Sequence, residues 1–304
     1  MHKEGAKAFW KAFFITLGLM APILVWTVVA GRMQPQEAAS SKSDVPILEP
    51  GEDNRLTALV AVADEPQNFV LVRLDAVENT FRMWVIPAQS VVKNGQETLT
   101  LADSYAAAGP ARAAALLSET LGVSINRYLA VPPDIWNDIF NEAGTARFSF
   151  AGTLTAGQLA EAGMGGEVRE WSASAASGFL QVVEKSQKPV LGAVPAAAAR
   201  AAVWQAWARQ HLEKLPALLP AALRKNSTVL LTDFSATDLL TLRETLEFLA
   251  NNSAEPQAQL LPGTWNAAAA RYEFGDETLA ALSCAQASAS ASATAGASSG
   301  ASAP

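Results

Sequence analysis

Few residues in this 304-residue chain have the type and spacing to do chemistry. Asp134 and Asp138 stand one helical turn apart, so their carboxylates could share a metal ion. Asp134, however, follows Pro133 in a first helical turn, where the helix dipole alone favours an acid. The histidines are His2 and His211, and His211 in ARQHLEKL reads as part of a solvated helix face with no partner to make it a base. Ser90 and Ser104 lack a histidine or lysine that the sequence could assign as activating base. Cys284, the one cysteine, closes no intramolecular disulfide, and with so few histidines it builds no zinc site. Glycine-rich phosphate loops, a G-x-S-x-G elbow and H-E-x-x-H are all missing. The stretch FRMWVIPAQSVV, Phe81 to Val92, is the sharpest case: a strand ends at a proline, where many folds place their chemistry, and runs into the uncharged Ala88-Gln89-Ser90.

The elements around these residues alternate. LTALVAVA (56–63), FVLVRL (69–74) and FRMWVI (81–86) are short, Val/Leu-rich runs separated by polar turns, the pattern of adjacent strands buried on both faces. In GPARAAALLSETLG, Ala113, Leu117 and Leu121 share a helical face, with Pro110 at its start and Gly122 at its end. YLAV (128–131) is a strand, and Trp136, Ile139, Phe140 and Ala143 mark a helix stopped by Gly144. RFSF gives another strand. Helices follow over 173–186 and 196–215, the latter with Trp204 and Trp207 in one apolar stripe, and Ser235 with Asp238 forms a capping-box pair opening a helix marked by Leu239, Leu242, Leu246 and Leu249. QAQLLPG (257–263) and YEF could rejoin the sheet. The fold class expected is α/β, an α+β sandwich whose central mixed β-sheet is covered by helices on both faces, preceded by one transmembrane helix.

That helix is 12–30, AFFITLGLMAPILVWTVVA, 19 residues without a charge. At about 1.5 Å per residue it spans a hydrocarbon core of about 30 Å. Lys3, Lys7 and Lys11 precede it against a single Glu4, so residues 1–11 are expected in the cytoplasm and the rest of the chain outside, in a single-pass cell-membrane protein. A cleaved signal peptide would have a shorter apolar region. Residues 31–53 read as a polar linker, 54–283 as the folded domain and 284–304 as a disordered Ser/Ala-rich tail. A net charge of −7 and a pI near 5.0 exclude the basic face of a nucleic-acid binder.

The order of short motifs resembles the LytR-CpsA-Psr (LCP) family of cell-envelope proteins. Its S-I-P-R-D, K-x-N-x-A-Y-x-x-G-G and L-G-hydrophobic-x-hydrophobic-x-x-Y segments are matched by Ile86-Pro87, Ser104-Tyr105, Gly109-Pro110, Leu121-Gly122, Ile125, Tyr128 and Gly144. Leu154-Thr155-Ala156-Gly157-Gln158 looks like its L-x-G-x-Q-A-L, and TVLLTDFSATDLL like its late helix start. The resemblance implies binding of a polyprenyl-pyrophosphate-linked glycopolymer, its lipid in an apolar tunnel between sheet and helices, and magnesium-assisted transfer of the glycopolymer phosphate to peptidoglycan. Such transfer uses arginines as planar phosphate forks and carboxylates as hard ligands for magnesium.

The chain departs from that pattern where the chemistry would reside. Ala88 and Gln89 replace the arginine and aspartate of S-I-P-R-D, and Gln67 or Asn68 replaces a metal-binding aspartate, with Asp64 and Glu65 nearby but out of register. Thr100-Leu101-Ala102 replaces K-x-N, Arg169 is what is left of R-x-R, and Arg200 of R-x-x-R-Q, with Val203 at the second arginine position. One arginine that stabilises a phosphoryl-transfer transition state is worth about 10³ to 10⁵ in rate, roughly 4 to 7 kcal/mol, so losing several leaves no useful turnover. Apolar lipid binding, at about 25 cal/mol per Å², can survive. The expected function is therefore that of a catalytically degenerate binder of a polyprenyl-phosphate lipid, a glycopolymer or a wall-assembly partner, with Gln89, Ser90, Tyr105, Trp136 and Trp204 as ligand-binding candidates and no cofactor or metal. Two alternatives stand beside it. In a divergent phosphotransferase using magnesium, Arg200, Arg169, Arg73 or Arg82 would hold the phosphates, although ion pairs to Asp75 or Glu78 are the plainer reading of Arg73 and Arg82. A wall-spanning scaffold would bind no lipid.

Overall fold

The computed structural model describes residues 49–63, 68–95, 97–186 and 190–283. The expected cytoplasmic segment, membrane helix, most of the linker and the Ser/Ala tail lie outside the described residues, as do Asp64, Glu65 and Gln67. No helix among the described residues is long and apolar enough to cross a membrane.

Six strands form the central sheet: β1 (Arg55–Val62), β2 (Asn68–Asp75), β3 (Thr80–Ile86), β6 (Arg127–Val131), β9 (Leu231–Thr232) and β10 (Gln257–Leu260). They lie in the order β10-β3-β2-β1-β6-β9. β1, β3, β6 and β10 point one way, β2 and β9 the other, so the sheet is mixed, as expected. Pleating sends alternate side chains to opposite faces and divides the core in two. Leu59, Leu71, Trp84 and Ile86 pack against α1 (Leu101–Leu121). Val60, Val70, Met83 and Val85 pack against α2 (Pro133–Ala143), α4 (Ala173–Lys185), α5 (Val194–His211), α6 (Leu215–Lys225) and α7 (Ala236–Asn251). A short α3 (Ala156–Glu161) precedes α4.

Several expected boundaries move. α1 starts at Leu101, where Thr100 and Asp103 form a reciprocal capping box, and its backbone breaks at Ala108 and Gly109, which sits at φ 73°. Pro110, expected to open the helix, opens only its second part, where a missing N–H costs nothing. The helix expected over 196–215 ends earlier, at His211, as α5, and a separate α6 begins at Leu215 with Pro216 in its first turn. RFSF and YEF do not join the central sheet. The first pairs as β7 (Ala146–Phe148) with β8 (Arg169–Trp171), and the second as β12 (Arg271–Glu273) with β11 (Thr264–Asn266). β4 (Val91–Asn94) and β5 (Glu97–Thr100) make a further hairpin.

His211 is buried and not solvated. Its Nε2 lies 2.9 Å from the Thr145 carbonyl oxygen, and its ring packs on Gly144, where φ is +125° and a Cβ would stand 3.1 Å from Cε1. The helix period alone could not reveal this, because the covering loop comes from 66 residues away.

Two glutamines of α5 reach the outer edges of strands. Gln205 Oε1 accepts the Ala258 N–H of β10 at 3.1 Å, and Gln210 accepts the Arg147 N–H of β7 and donates to its carbonyl, both at 2.9 Å.

Candidate functional site

The C-terminal ends of β1, β3, β6 and β10 meet at one end of the sheet, where open α/β sheets place ligands. Two features stand there, on opposite faces.

The first is the loop after β3. Pro87 O accepts from Ser90 N at 3.0 Å, Ala88 O from Ala102 N at 2.9 Å, Gln89 O from Tyr272 N at 3.0 Å and Ser90 O from Leu101 N at 2.8 Å. Ala88 and Ser90 are buried, Ala88 within the α1-side core. The loop is therefore a joint tying β3 to α1 and β12, with its carbonyls committed. Gln89 Oε1 and Ser90 Oγ are buried without a hydrogen-bond partner. Tyr272 closes the joint: its hydroxyl donates to Leu261 O at 2.6 Å, and burial pushes its pKa up to about 12. Tyr105 sits edge-on to Phe69 at 5.7 Å, its pKa raised by burial.

The second feature, on the other face, is a crevice between α2, α4 and α5. Val62, Trp136, Phe140, Ala176, Leu180, Val203, Trp204, Trp207 and Arg200 line it. It is narrow, about 50 Å³, because Trp136 stacks on Trp204 at 4.4 Å and lies 5.5 Å from Trp207, which stacks on Phe140 at 5.4 Å. These rings fill space that a drug-sized ligand would need, about 300 Å³ or more. A second aromatic group, Phe148, Phe150, Trp171 and Phe179, continues the packing under α4. Arg200 is the crevice's cation. Its Nη2 donates to Glu184 Oε2 at 2.9 Å, the side chains being 12% and 20% exposed, and its Nε is buried without a partner.

The structure thus brings Arg200, Trp136 and Trp204 together and leaves the other candidates apart. Arg169 is exposed on β8 and paired with Glu167. Arg73 and Arg82 lie toward the opposite end of the sheet, where Arg73 stands 3.6 Å from Asp75, the ion pair expected as its plainer role. Asp134 is in the first turn of α2, and both it and Asp138 are exposed. Glu184 and Leu180 were not foreseen. An acid sixteen residues before Arg200 has no periodic relation to it, whereas the spacing of Arg200, Trp204 and Trp207 does mark one helical face.

Magnesium does not fit the described residues of this end. The loop after β3 presents an amide and a hydroxyl where a hard cation wants carboxylates, and no group of three or more Asp, Glu, His or Cys is placed to hold a metal ion among the described residues. What the crevice can do is take the end of an apolar chain if its rings part. Its one guanidinium is already neutralised, so it offers a pyrophosphate little charge.

No family model matches the chain, and no curated protein does. Solved structures do. A protein of Eubacterium siraeum DSM 15702, described as a transcription regulator, shares 16% identity at TM-score 0.61, over 82% of this chain and 97% of its own. TagT bound to LIIa-WTA shares 14% at TM-score 0.57, over 81% and 96%. TagV of B. subtilis shares 15% at TM-score 0.52, over 77% and 96%. The chain therefore has the fold of TagT and TagV, as the LCP-like order of motifs predicts.

Proposed function

We propose that this chain is an LCP-fold protein of cell-wall glycopolymer assembly that binds the polyprenyl part of a lipid-linked glycopolymer and does not transfer its phosphate. Residues 12–30 anchor it as a single-pass protein with the domain outside the membrane, within reach of such lipids. The fold shared with TagT bound to LIIa-WTA supports the ligand class. The observation that carries the loss of transfer is the loop after β3, which has no arginine or carboxylate and whose backbone is built into the joint with α1 and Tyr272. Arg200, the one cation of the crevice, is held by Glu184. Opening of the Trp136–Trp204 stack would admit the prenyl chain between α2, α4 and α5.

Two measurements on the full chain decide it. Native mass spectrometry of the membrane-extracted protein is expected to show a co-purifying polyprenyl lipid; a protein free of lipid would favour a structural scaffold. Incubation with magnesium, a lipid-pyrophosphate glycopolymer and peptidoglycan is expected to give no product. Turnover abolished by Arg200→Ala would overturn the reading and identify a divergent phosphotransferase.

A further inference from the structure

At the sheet end opposite the crevice, on the α1 face, Thr57, Arg73, Arg82 and Gln257 stand side by side on β1, β2, β3 and β10. Arg73 and Arg82 are directly opposed, an arrangement in which like charges destabilise a sheet. The acids nearby are claimed mostly by Arg55, which takes Glu52 at 2.9 Å, Asp75 at 3.3 Å and Glu78 at 3.7 Å. Asp75 is 1% exposed and lies 3.6 Å from Arg73 without a hydrogen bond from it. Asp75 is thus shared by Arg55 and Arg73, and among the described residues no carboxylate pairs with Arg82.

Beside Arg73 is a cavity of about 140 Å³, lined by Arg55, Thr57, Arg73, Trp84, Ser124 and Asn126 among others; Arg82 stands on the next strand, outside its lining. Trp84 is 2% exposed, and its indole Nε1–H has no acceptor. Such a buried orphan donor is rare enough in folded proteins to need a reason. An unpaired guanidinium on the strand beside the cavity, that of Arg82, and an unanswered N–H on a residue of its wall share one complement, a ligand with negative charge and several acceptor oxygens.

We propose that this cavity binds an oxyanion, a phosphate group whose oxygens accept from Arg73 and Trp84 Nε1 while Arg82 supplies the balancing charge. The bound anion would relieve the Arg73/Arg82 repulsion. The site is separate from the crevice and independent of its ligand.

Calorimetric titration of the full chain in detergent micelles with inorganic phosphate at low salt tests the site. Saturable binding is expected, weakened about tenfold to a hundredfold by Trp84→Phe, the range for a lost hydrogen bond to a charged group, and to a smaller extent by Arg82→Gln, which removes balancing charge alone. Arg243→Ala, on the exposed face of α7, is expected to leave it unchanged. In phosphate-free buffer Arg82→Gln should raise the melting temperature, and phosphate should close the gap by stabilising the wild type. Absence of saturable binding, or equal binding by wild type, Arg82→Gln and Trp84→Phe, would overturn the proposal. If Trp84→Phe misfolds, Arg73→Gln replaces it with the same expectation. Competition by glycerol 3-phosphate, a monoester, or by glycerophosphoglycerol, a diester, then assigns the source as a free phosphate metabolite or a lipid headgroup.

Discussion

Neutralisation of Arg200 can be tested by removing the neutralising charge and leaving the arginine in place. Glu184→Gln keeps the shape of the side chain and an amide oxygen able to accept from Arg200 Nη2. At 2.9 Å the gross Coulomb attraction is about 6 kcal/mol for an effective dielectric near 20. Much of that is offset by desolvation and ordering. Exposed pairs contribute about 0.2–1 kcal/mol and breaking a fully buried one costs about 3–5, so a pair 12% and 20% exposed lies near 1–3 kcal/mol. An incoming pyrophosphate must match this to recruit Arg200. Glu184→Gln is therefore expected to tighten binding of farnesyl pyrophosphate, a short prenyl probe, by about tenfold, equivalent to about 1.4 kcal/mol. It should also lower unfolding stability by about 1–2 kcal/mol. Calorimetry on the wild type, Glu184→Gln, Arg200→Ala and the double variant reads both effects. If Glu184→Gln binds no tighter while Arg200→Ala binds more weakly, Arg200 is already free for phosphate and the reasoning fails.

Further outcomes follow from neighbouring contacts. Trp136→Ala removes two ring contacts worth about 0.5–1.5 kcal/mol each, so stability should fall by about 2–4 kcal/mol while the widened crevice takes up more prenyl lipid, measured by denaturant unfolding and native mass spectrometry. Asp238 is held down to about pKa 2, chiefly by the Arg127 hydrogen bond at 2.7 Å. Its contribution is present above the unfolded value near 3.9 and lost as pH falls toward 2, so Asp238→Asn should flatten urea midpoints across that window, by about 1 kcal/mol given the partial exposure of both side chains. Gly192, at φ +51°, leaves no room for a Cβ against the Trp265 ring. Gly192→Ala should cost about 1–2 kcal/mol in backbone alone and speed hydrogen exchange across Thr264–Glu273 as the hairpin lifts.

The long strands of the central sheet and the pattern of helices on both faces were legible because burial on two faces leaves continuous apolar runs such as LTALVAVA, and a helix leaves its period, as in Trp136, Ile139, Phe140 and Ala143; the two-residue β9 was not. Short pairings were not. Nothing local in RFSF or YEF says whether a three-residue strand meets the sheet or a hairpin, since register depends on partners up to 25 residues away and on turns without strong signals. Within the crevice, Arg200, Trp136 and Trp204 could be picked out by type, because a cation and two indoles on amphipathic helices are conspicuous. Glu184 could not, because its role arises only when α4 packs on α5. The burial of His211 was hidden for the same reason: Gly144 and Thr145 reach it across the fold.

The α5 glutamines have a consequence for crowding. A short sheet with bare edges offers unpaired N–H groups to any similar chain, and proteins held densely on a surface meet their copies often. Gln205 occupies the outward N–H of Ala258, and Gln210 occupies both outward groups of Arg147. Each glutamine thus caps part of a strand edge, on β10 and on β7, from within the fold and leaves fewer groups there for a second copy of this domain to pair with.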